Sequence, residues 1–310
     1  MSKKILIIKH GSFGDFILAT GAIKSIKNYF PNHVLYMLTS IKYAEFIKES
    51  FLIDEYIFDE RKPFYNYKEN MLLLKKIINS NFEYIFDLQN SKRTFFYNLI
   101  ARILTKTIIS SSRPLAHYRY NIPSQGSEHV TIGLNKQLSL VGIKDFFQPN
   151  VDWLEKKKIN ISIKKPYVMM IPGTSSSGLY KRWPSENYAE VAKFLYKLKF
   201  SILVVGNNSD YNSALPILNS CPEVFNFLGK SQPPVLYRLA KEANFIISND
   251  TGPALLVSLT NTPLLWIVND NNISLSNKPI GQKVYKISSK SVHDISIEQI
   301  KNILIKKELI

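Results

Sequence analysis

The sequence predicts an α/β protein built from two doubly wound domains, each a mostly parallel sheet flanked by helices. Short apolar, β-branched runs of the kind covered on both faces alternate with helix-length stretches along the chain. Several of these runs end in turns of glycine, serine and aspartate. The 310 residues leave room for two domains of about 150 each.

In the first half, strand-like runs fall at 4–8, 34–39, 54–58, 82–87 and 106–110, with helix-like stretches such as 66–80 and 91–104 between them. The first run, Lys4 to Ile8, opens into His10-Gly11-Ser12-Phe13-Gly14-Asp15. Gly11 and Gly14 permit positive φ and close approach of a ligand. Asp15 starts a helix whose apolar positions continue at Ala19, Ala22, Ile23 and Ile26. Ligands of open α/β sheets bind beyond the carboxyl ends of strands, so residues 10 to 15 belong to a site, with Ser12 and Gly14 inside it. Asp15 is the candidate catalytic base, and a plain helix cap is its competing role. Residues 111–128, broken by Pro114, Pro123 and Gly126, read as a loop near that site, and a helix follows at 129–142.

The polar, lysine-rich run from Glu155 to Pro166 marks the boundary. It gives a first domain over 1–155, a linker over 156–165 and a second domain over 166–310. Strands are expected near 167–171, 201–205, 224–227, 244–248 and 263–268, and helices at 185–199, 209–219, 232–242 and 253–260. A last helix over 296–308, apolar at Ile297, Ile300, Ile303 and Leu304, packs against the body, with a return onto the first domain left open.

Composition narrows the function. A net charge of +16 favours a polyanionic partner: nucleic acid, an anionic membrane surface or a phosphorylated substrate. A single cysteine, Cys221, excludes an internal disulfide and a cysteine-built metal site, and fits a reducing compartment. The apolar run after Lys4 breaks at Lys9, too short for a signal-peptide core. No segment approaches the roughly 18 apolar residues of a membrane span, so a cytoplasmic protein is expected. The spacing of Gly11 and Gly14 is not G-x-G-x-x-G, no P-loop occurs, and the five histidines show no paired ligand spacing. No metal is expected. Nucleic-acid binding has no recognisable module to carry it.

Three further constellations remain. Residues 171–184, Ile-Pro-Gly-Thr-Ser-Ser-Ser-Gly-Leu-Tyr-Lys-Arg-Trp-Pro, follow a strand with hydroxyls, amides and two cations, a composition suited to phosphate oxygens. A solvated loop is the alternative. Residues 244–253 end a buried strand in Asp250, Thr251 and Gly252, whose amides suit a diphosphate while the carboxylate suits sugar hydroxyls; an Asx-type cap competes. Asp87-Leu88-Gln89-Asn90-Ser91-Lys92-Arg93 joins a strand end to a helix start. With Arg113, His117, Arg119 and Arg102 it could form a basic pocket for an anionic sugar, or simply a solvated helix face.

Taken together, the I-L-I-I-K-H-G-S-F-G-D opening, D-L-Q-x-S-x-R, P-G-T-S…K-R-W-P and S-N-D-T-G-P resemble glycosyltransferase family 9, the ADP-heptose:lipopolysaccharide heptosyltransferases and their relatives. The resemblance spans most of the chain. It implies a GT-B architecture of two Rossmann-like domains facing a central cleft, with acceptor on the first and nucleotide sugar on the second. It further implies transfer of a heptose-like sugar from an ADP-sugar to a lipopolysaccharide core or another anionic, lipid-linked glycan, with inversion. Asp15 matches the general base. Gly14, Thr174, Ser175, Lys181, Asp250, Thr251 and Gly252 fall to the donor, and Ser12, Lys92, Arg93, Arg113 and Arg119 to the acceptor. No bound metal is implied. Peripheral contact with the anionic inner membrane fits the positive charge.

Two departures stand out. Leu255 occupies the position where relatives commonly carry histidine, and Val268-Asn269-Asp270-Asn271-Asn272 replaces the usual glycine-rich loop. Leu255 motivates the alternative of a degenerate relative that binds nucleotide or glycan without turnover.

Overall fold

The computed structural model describes residues 3–124, 126–157, 159, 161–270 and 276–310. The chain forms two compact units, Met1–Val151 and Asp152–Ile310. Each holds one six-stranded parallel sheet.

In the first unit the strands are β1 (Lys4–Ile8), β2 (Val34–Thr39), β3 (Glu55–Phe58), β4 (Tyr84–Asp87), β5 (Ile108–Ser111) and β6 (Tyr118–Arg119), in the order β3-β2-β1-β4-β5-β6. Every pairing is parallel. Ile5 to Ile8 are fully buried, as the unbroken apolar run requires of a central strand covered by helices on both faces. The direction of winding reverses between β1 and β4, so the turns after these two strands flank the switch point where such sheets open a ligand crevice.

The helices are α1 (Phe13–Tyr29), α2 (Ile41–Ile47), α3 (Tyr67–Asn79), α4 (Lys92–Leu104) and α5 (Val130–Ser139). α1 is buried nearly all round because the segment after α5 lies across it. A Cβ on Gly21 would sit 2.3 Å from the Phe147 carbonyl oxygen, so only glycine fits there. Ser25 Oγ accepts the Phe147 N–H at 3.0 Å, and Thr20 Oγ1 accepts that of Asn150 at 3.1 Å.

The second unit repeats the topology. Its strands are β7 (Tyr167–Ile171), β8 (Ser201–Gly206), β9 (Val224–Leu228), β10 (Phe245–Asn249), β11 (Leu264–Asn269) and β12 (Val284–Ser289), in the order β12-β11-β10-β7-β8-β9. Here the switch point lies between β7 and β10, which pair in parallel from Phe245↔Val168 to Ser248↔Ile171. The helices are α6 (Ser185–Lys197), α7 (Tyr211–Leu218), α8 (Pro233–Glu242), α9 (Gly252–Val257) and α10 (Ile297–Lys306).

α10 packs within this unit, with Ile300 and Leu304 in the same core as Val191 and Leu195 of α6. The segment expected as a linker starts inside a 3-10 turn, Asp152–Lys156, that lies against α8; Trp153 and Leu154 are buried and the Tyr237 hydroxyl donates to Asp152 Oδ1 at 3.0 Å. β12 and the two-residue β6 extend the sheets beyond the expected strands. Of the loop expected after β11, Val268 and Asn269 still belong to the strand, and Asn271 and Asn272 lie outside the described residues.

Candidate active site

At the end of β1 the chain turns sharply through Gly11, with φ of +106°, a value L side chains avoid. A Cβ there would also lie 2.5 Å from the Tyr43 ring, which stacks on Phe16 at 5.0 Å between centroids. Ser12 caps α1, and Asp15, three residues on, returns its side chain to the cap. The Ser12 amide and hydroxyl donate to Asp15 Oδ2 at 3.3 and 3.1 Å. Asp15 therefore caps the helix and stays half-buried at the lip of the turn. Gly14 is buried behind it.

Lys9, fully within the protein, sits beneath this turn and donates from Nζ to the Leu88 carbonyl at 3.1 Å. Burial pulls its pKa below the ordinary lysine value, against the opposing pull of the Asp15 and Asp87 carboxylates. An ammonium buried next to the candidate base was marked in the sequence only by Lys9 interrupting an apolar run.

The turn after β4 comes to the same switch point. Asp87 is completely buried. Its Oδ1 accepts the amides of Gln89 and Asn90, and its Oδ2 accepts the Asn98 side-chain amide at 2.8 Å. Burial raises its pKa against these hydrogen bonds. The two turns are tied together by the His10 amide, which donates to Gln89 Oε1 at 2.9 Å. Asn90 in turn orders the end of β5, its Oδ1 accepting the Ser112 amide and the Ser111 hydroxyl.

The predicted acceptor cations divide. Arg93 is committed to the protein: Nε donates to the Tyr97 hydroxyl at 2.6 Å, and the Nη groups donate to the Lys62 carbonyl and Asn70 Oδ1, each at 2.7 Å. Arg113 donates from Nε to the Asn90 carbonyl at 2.5 Å. Lys92 and Arg119 are exposed at the start of α4 and in β6. His117 is structural, its Nδ1 accepting the Ile109 amide at 3.0 Å.

Asp59, at the end of β3, joins this framework. Its Oδ2 accepts the Tyr97 hydroxyl at 2.8 Å and lies 3.0 Å from His10 Nε2 and 3.4 Å from Arg93 Nε. Burial pushes the Asp59 carboxyl up, but the His10 ring, the Tyr97 hydroxyl and the Arg61 amide outweigh it and hold the pKa down to about 2. Asp59 carried no sequence signal, because its partners are far away along the chain; His10 stood in the predicted turn, but its pairing with Asp59 was not legible.

In the second unit the two predicted donor segments meet at the β7/β10 switch point. Lys181 Nζ lies 2.6 Å from Asp250 Oδ2, an ion pair between residues of the two segments, both mostly buried. Arg182 pins the same loop from behind. It donates from Nε to Thr174 Oγ1 and from Nη2 to the Thr174 carbonyl, both at 3.0 Å, and from Nη1 to Ser213 Oγ at 2.9 Å. Thr174 Oγ1 donates onward to the Gly178 carbonyl, whereas Ser175 is exposed. Gly173 and Gly206 make room for the buried Asp210 carboxylate, which a Cβ on Gly173 would overlap at 2.2 Å.

Asn249, fully buried, links the two segments by accepting the Trp183 amide at 3.1 Å and donating to the Pro172 carbonyl at 2.7 Å. Thr251 is the N-cap of α9, with Gly252 and Pro253 as its first residues; Pro253 has no N–H, and the Ala254 amide donates to the Thr251 carbonyl at 3.0 Å. Leu255 is buried in α9 and brings no polar side chain to that turn. Among the described residues no group of three His, Cys, Asp or Glu side chains could hold a metal ion, and no helix is long and apolar enough to cross a membrane.

Comparison with known proteins agrees with this architecture. The Veillonella parvula DSM 2008 glycosyl transferase family 9 structure aligns with a TM-score of 0.83 at 17% identity, covering 98% of this chain and 96% of that one. The E. coli heptosyltransferase WaaC with ADP aligns with a TM-score of 0.77 at 15% identity, covering 98% and 99%. The likeness is one of fold, the GT-B class of paired Rossmann-like domains. Lipopolysaccharide heptosyltransferase 2 of Escherichia coli (strain K12) is 28% identical over 113 residues, which are 35% of this chain and 32% of that relative's length. The profile of glycosyltransferase family 9 (heptosyltransferase) matches residues 72–298. That match takes in well over half of the sequence, and the chain belongs to glycosyltransferase family 9.

Proposed function

We propose that this chain transfers a heptose-class sugar from an ADP-sugar to a lipopolysaccharide core or a related anionic, lipid-linked glycan, inverting the anomeric centre. The observation that carries the reading is the Lys181–Asp250 pair at the β7/β10 switch point in a chain of this family. An acceptor hydroxyl attacks the anomeric carbon as the bond from that carbon to the ADP β-phosphate oxygen breaks. The hydroxyl proton passes to Asp15, and the electron pair leaves with ADP, whose added charge Lys181 offsets. Thr174 and Gly252 turn amides, and Ser175 and Thr251 amides and hydroxyls, toward the diphosphate, and Asp250 exchanges Lys181 for sugar hydroxyls.

Ser12, Lys92, Arg113 and Arg119 take the acceptor, while Arg93 buttresses that surface from within. Lys181 supplies the countercharge a metal would otherwise bring, so none is invoked. The lipid-linked acceptor puts the enzyme in the cytoplasm at the inner membrane.

Calorimetric titration with ADP, GDP and UDP, with magnesium absent and then present, tests this. ADP selectivity independent of magnesium is expected. Preference for another nucleotide would reassign the donor, and no nucleotide binding would overturn the reading. Buried Leu255 favours a second reading, a relative that binds without turnover; ADP binding with no transfer to any core acceptor would select it.

A further inference from the structure

α3 carries an unusual outward face. Tyr67, Lys68, Met71, Leu72, Lys75, Lys76 and Asn79 are exposed along one helical side with Glu69 exposed at its margin, and Ile77 and Leu74 turn the other way into the core. Single exposed apolar side chains are ordinary on a protein surface and a cluster of them is not; here Tyr67 and Leu72 are each 67% exposed. The loop before α3 adds Phe64 and Tyr65, the latter 80% exposed, and the neighbouring α4 adds Phe96.

These rings are held in place. The Arg93 guanidinium lies 5.0 Å over Phe64, whose ring is 5.4 Å from that of Phe96. Asn70 Nδ2 donates to the Pro63 and Asn66 carbonyls at 2.9 Å, fixing the loop that bears Phe64 and Tyr65. Lys68, Lys75 and Lys76 stand among the apolar groups, and no carboxylate among the described residues pairs with them. Glu69 is the one acid of the helix.

We propose that this face docks on an anionic lipid bilayer, its rings and aliphatic groups at the headgroup–acyl boundary and its lysines over lipid phosphates. Apolar and cationic groups alternate on a single helix side, which suits a plane where charged headgroups lie directly above acyl chains. The buried centre of a protein interface is depleted in lysine, which argues against a protein occupant. Nucleic acid would be expected to use these rings for stacking within a recognisable module, and the sequence holds none.

Sedimentation of the full chain with vesicles tests the assignment. Binding to mixed phosphatidylethanolamine and phosphatidylglycerol, weakened by salt and absent on phosphatidylcholine, is expected. Lys68→Glu/Lys75→Glu/Lys76→Glu lowers the partition about 100-fold or more. Tyr65→Ser/Tyr67→Ser/Leu72→Ser lowers it about 10-fold or more. All six positions are exposed, so circular dichroism and nucleotide titration remain as in the wild type. Equal binding to phosphatidylcholine, no binding to anionic vesicles, or variants that bind like the wild type would each overturn the proposal. So would a self-association lost in the same variants without vesicle binding. The vesicle assay uses neither nucleotide nor acceptor, so its failure is separate from failure of the sugar-transfer reading.

Discussion

Lys181 and Asp250 are partners in the protein, and a diphosphate that recruits the ammonium must displace the carboxylate. Lys181→Ala is expected to weaken ADP binding about 10- to 100-fold, the worth of one charge-assisted contact. The substitution also leaves Asp250 facing phosphate without a countercharge, so adding Asp250→Asn recovers part of the loss; titration calorimetry on the two variants measures both effects. An unchanged ADP affinity in Lys181→Ala contradicts the phosphate role. Gly11 is the other residue whose identity is forced. Its φ of +106° and the Tyr43 ring both oppose a side chain, so Gly11→Ala is expected to cost roughly 1–3 kcal/mol in urea unfolding. No loss of stability would mean that the turn relaxes freely. Gly11 was legible as a turn residue, whereas the ring that closes over it comes from α2.

At the scale of elements, Asp59 joins β3, β1 and α4 through His10, Tyr97 and Arg93. Its carboxyl falls from the usual 3.8 to about 2 in the folded chain, so its ionised form favours folding. That contribution is complete above the unfolded value and disappears as pH falls through the folded one. The stability gap between wild type and Asp59→Asn is therefore expected to narrow by roughly 2 kcal/mol between pH values of about 4 and 2. Urea unfolding across that range checks it; parallel profiles for the two proteins would dissolve the assignment.

Elements with a continuous apolar run were legible: β1, β2 and β7 occupy their expected residues. β12 was not. Only Ile287 of its six residues is buried, and its identity as a strand comes from pairing with β11. β6 is two residues held by β5, too short for any pattern.

At the scale of the whole molecule, both units wind in the same order, and each brings the turns of its two central strands together. The candidate segments were legible as strand-end turns because glycine, aspartate and hydroxyl residues cluster in them. Their partnerships were not, since Lys181 meets Asp250 and His10 meets Asp59 across long stretches of chain that only the sheet order brings together. Arg93 shows the limit most clearly. A cation at the start of a helix looks available for substrate, and three of its five N–H donors are instead turned to Tyr97, Lys62 and Asn70.

Asp15 is both a helix cap and the proposed base. Asp15→Asn separates the two, since the side-chain oxygen still accepts from Ser12 while the amide takes no proton. The measurement is turnover of Asp15→Asn with ADP-heptose and a lipopolysaccharide-core acceptor, beside its ADP affinity and thermal midpoint. Turnover is expected to fall about 10²- to 10⁴-fold with affinity and midpoint unchanged; wild-type turnover in that variant would leave Asp15 as a cap alone.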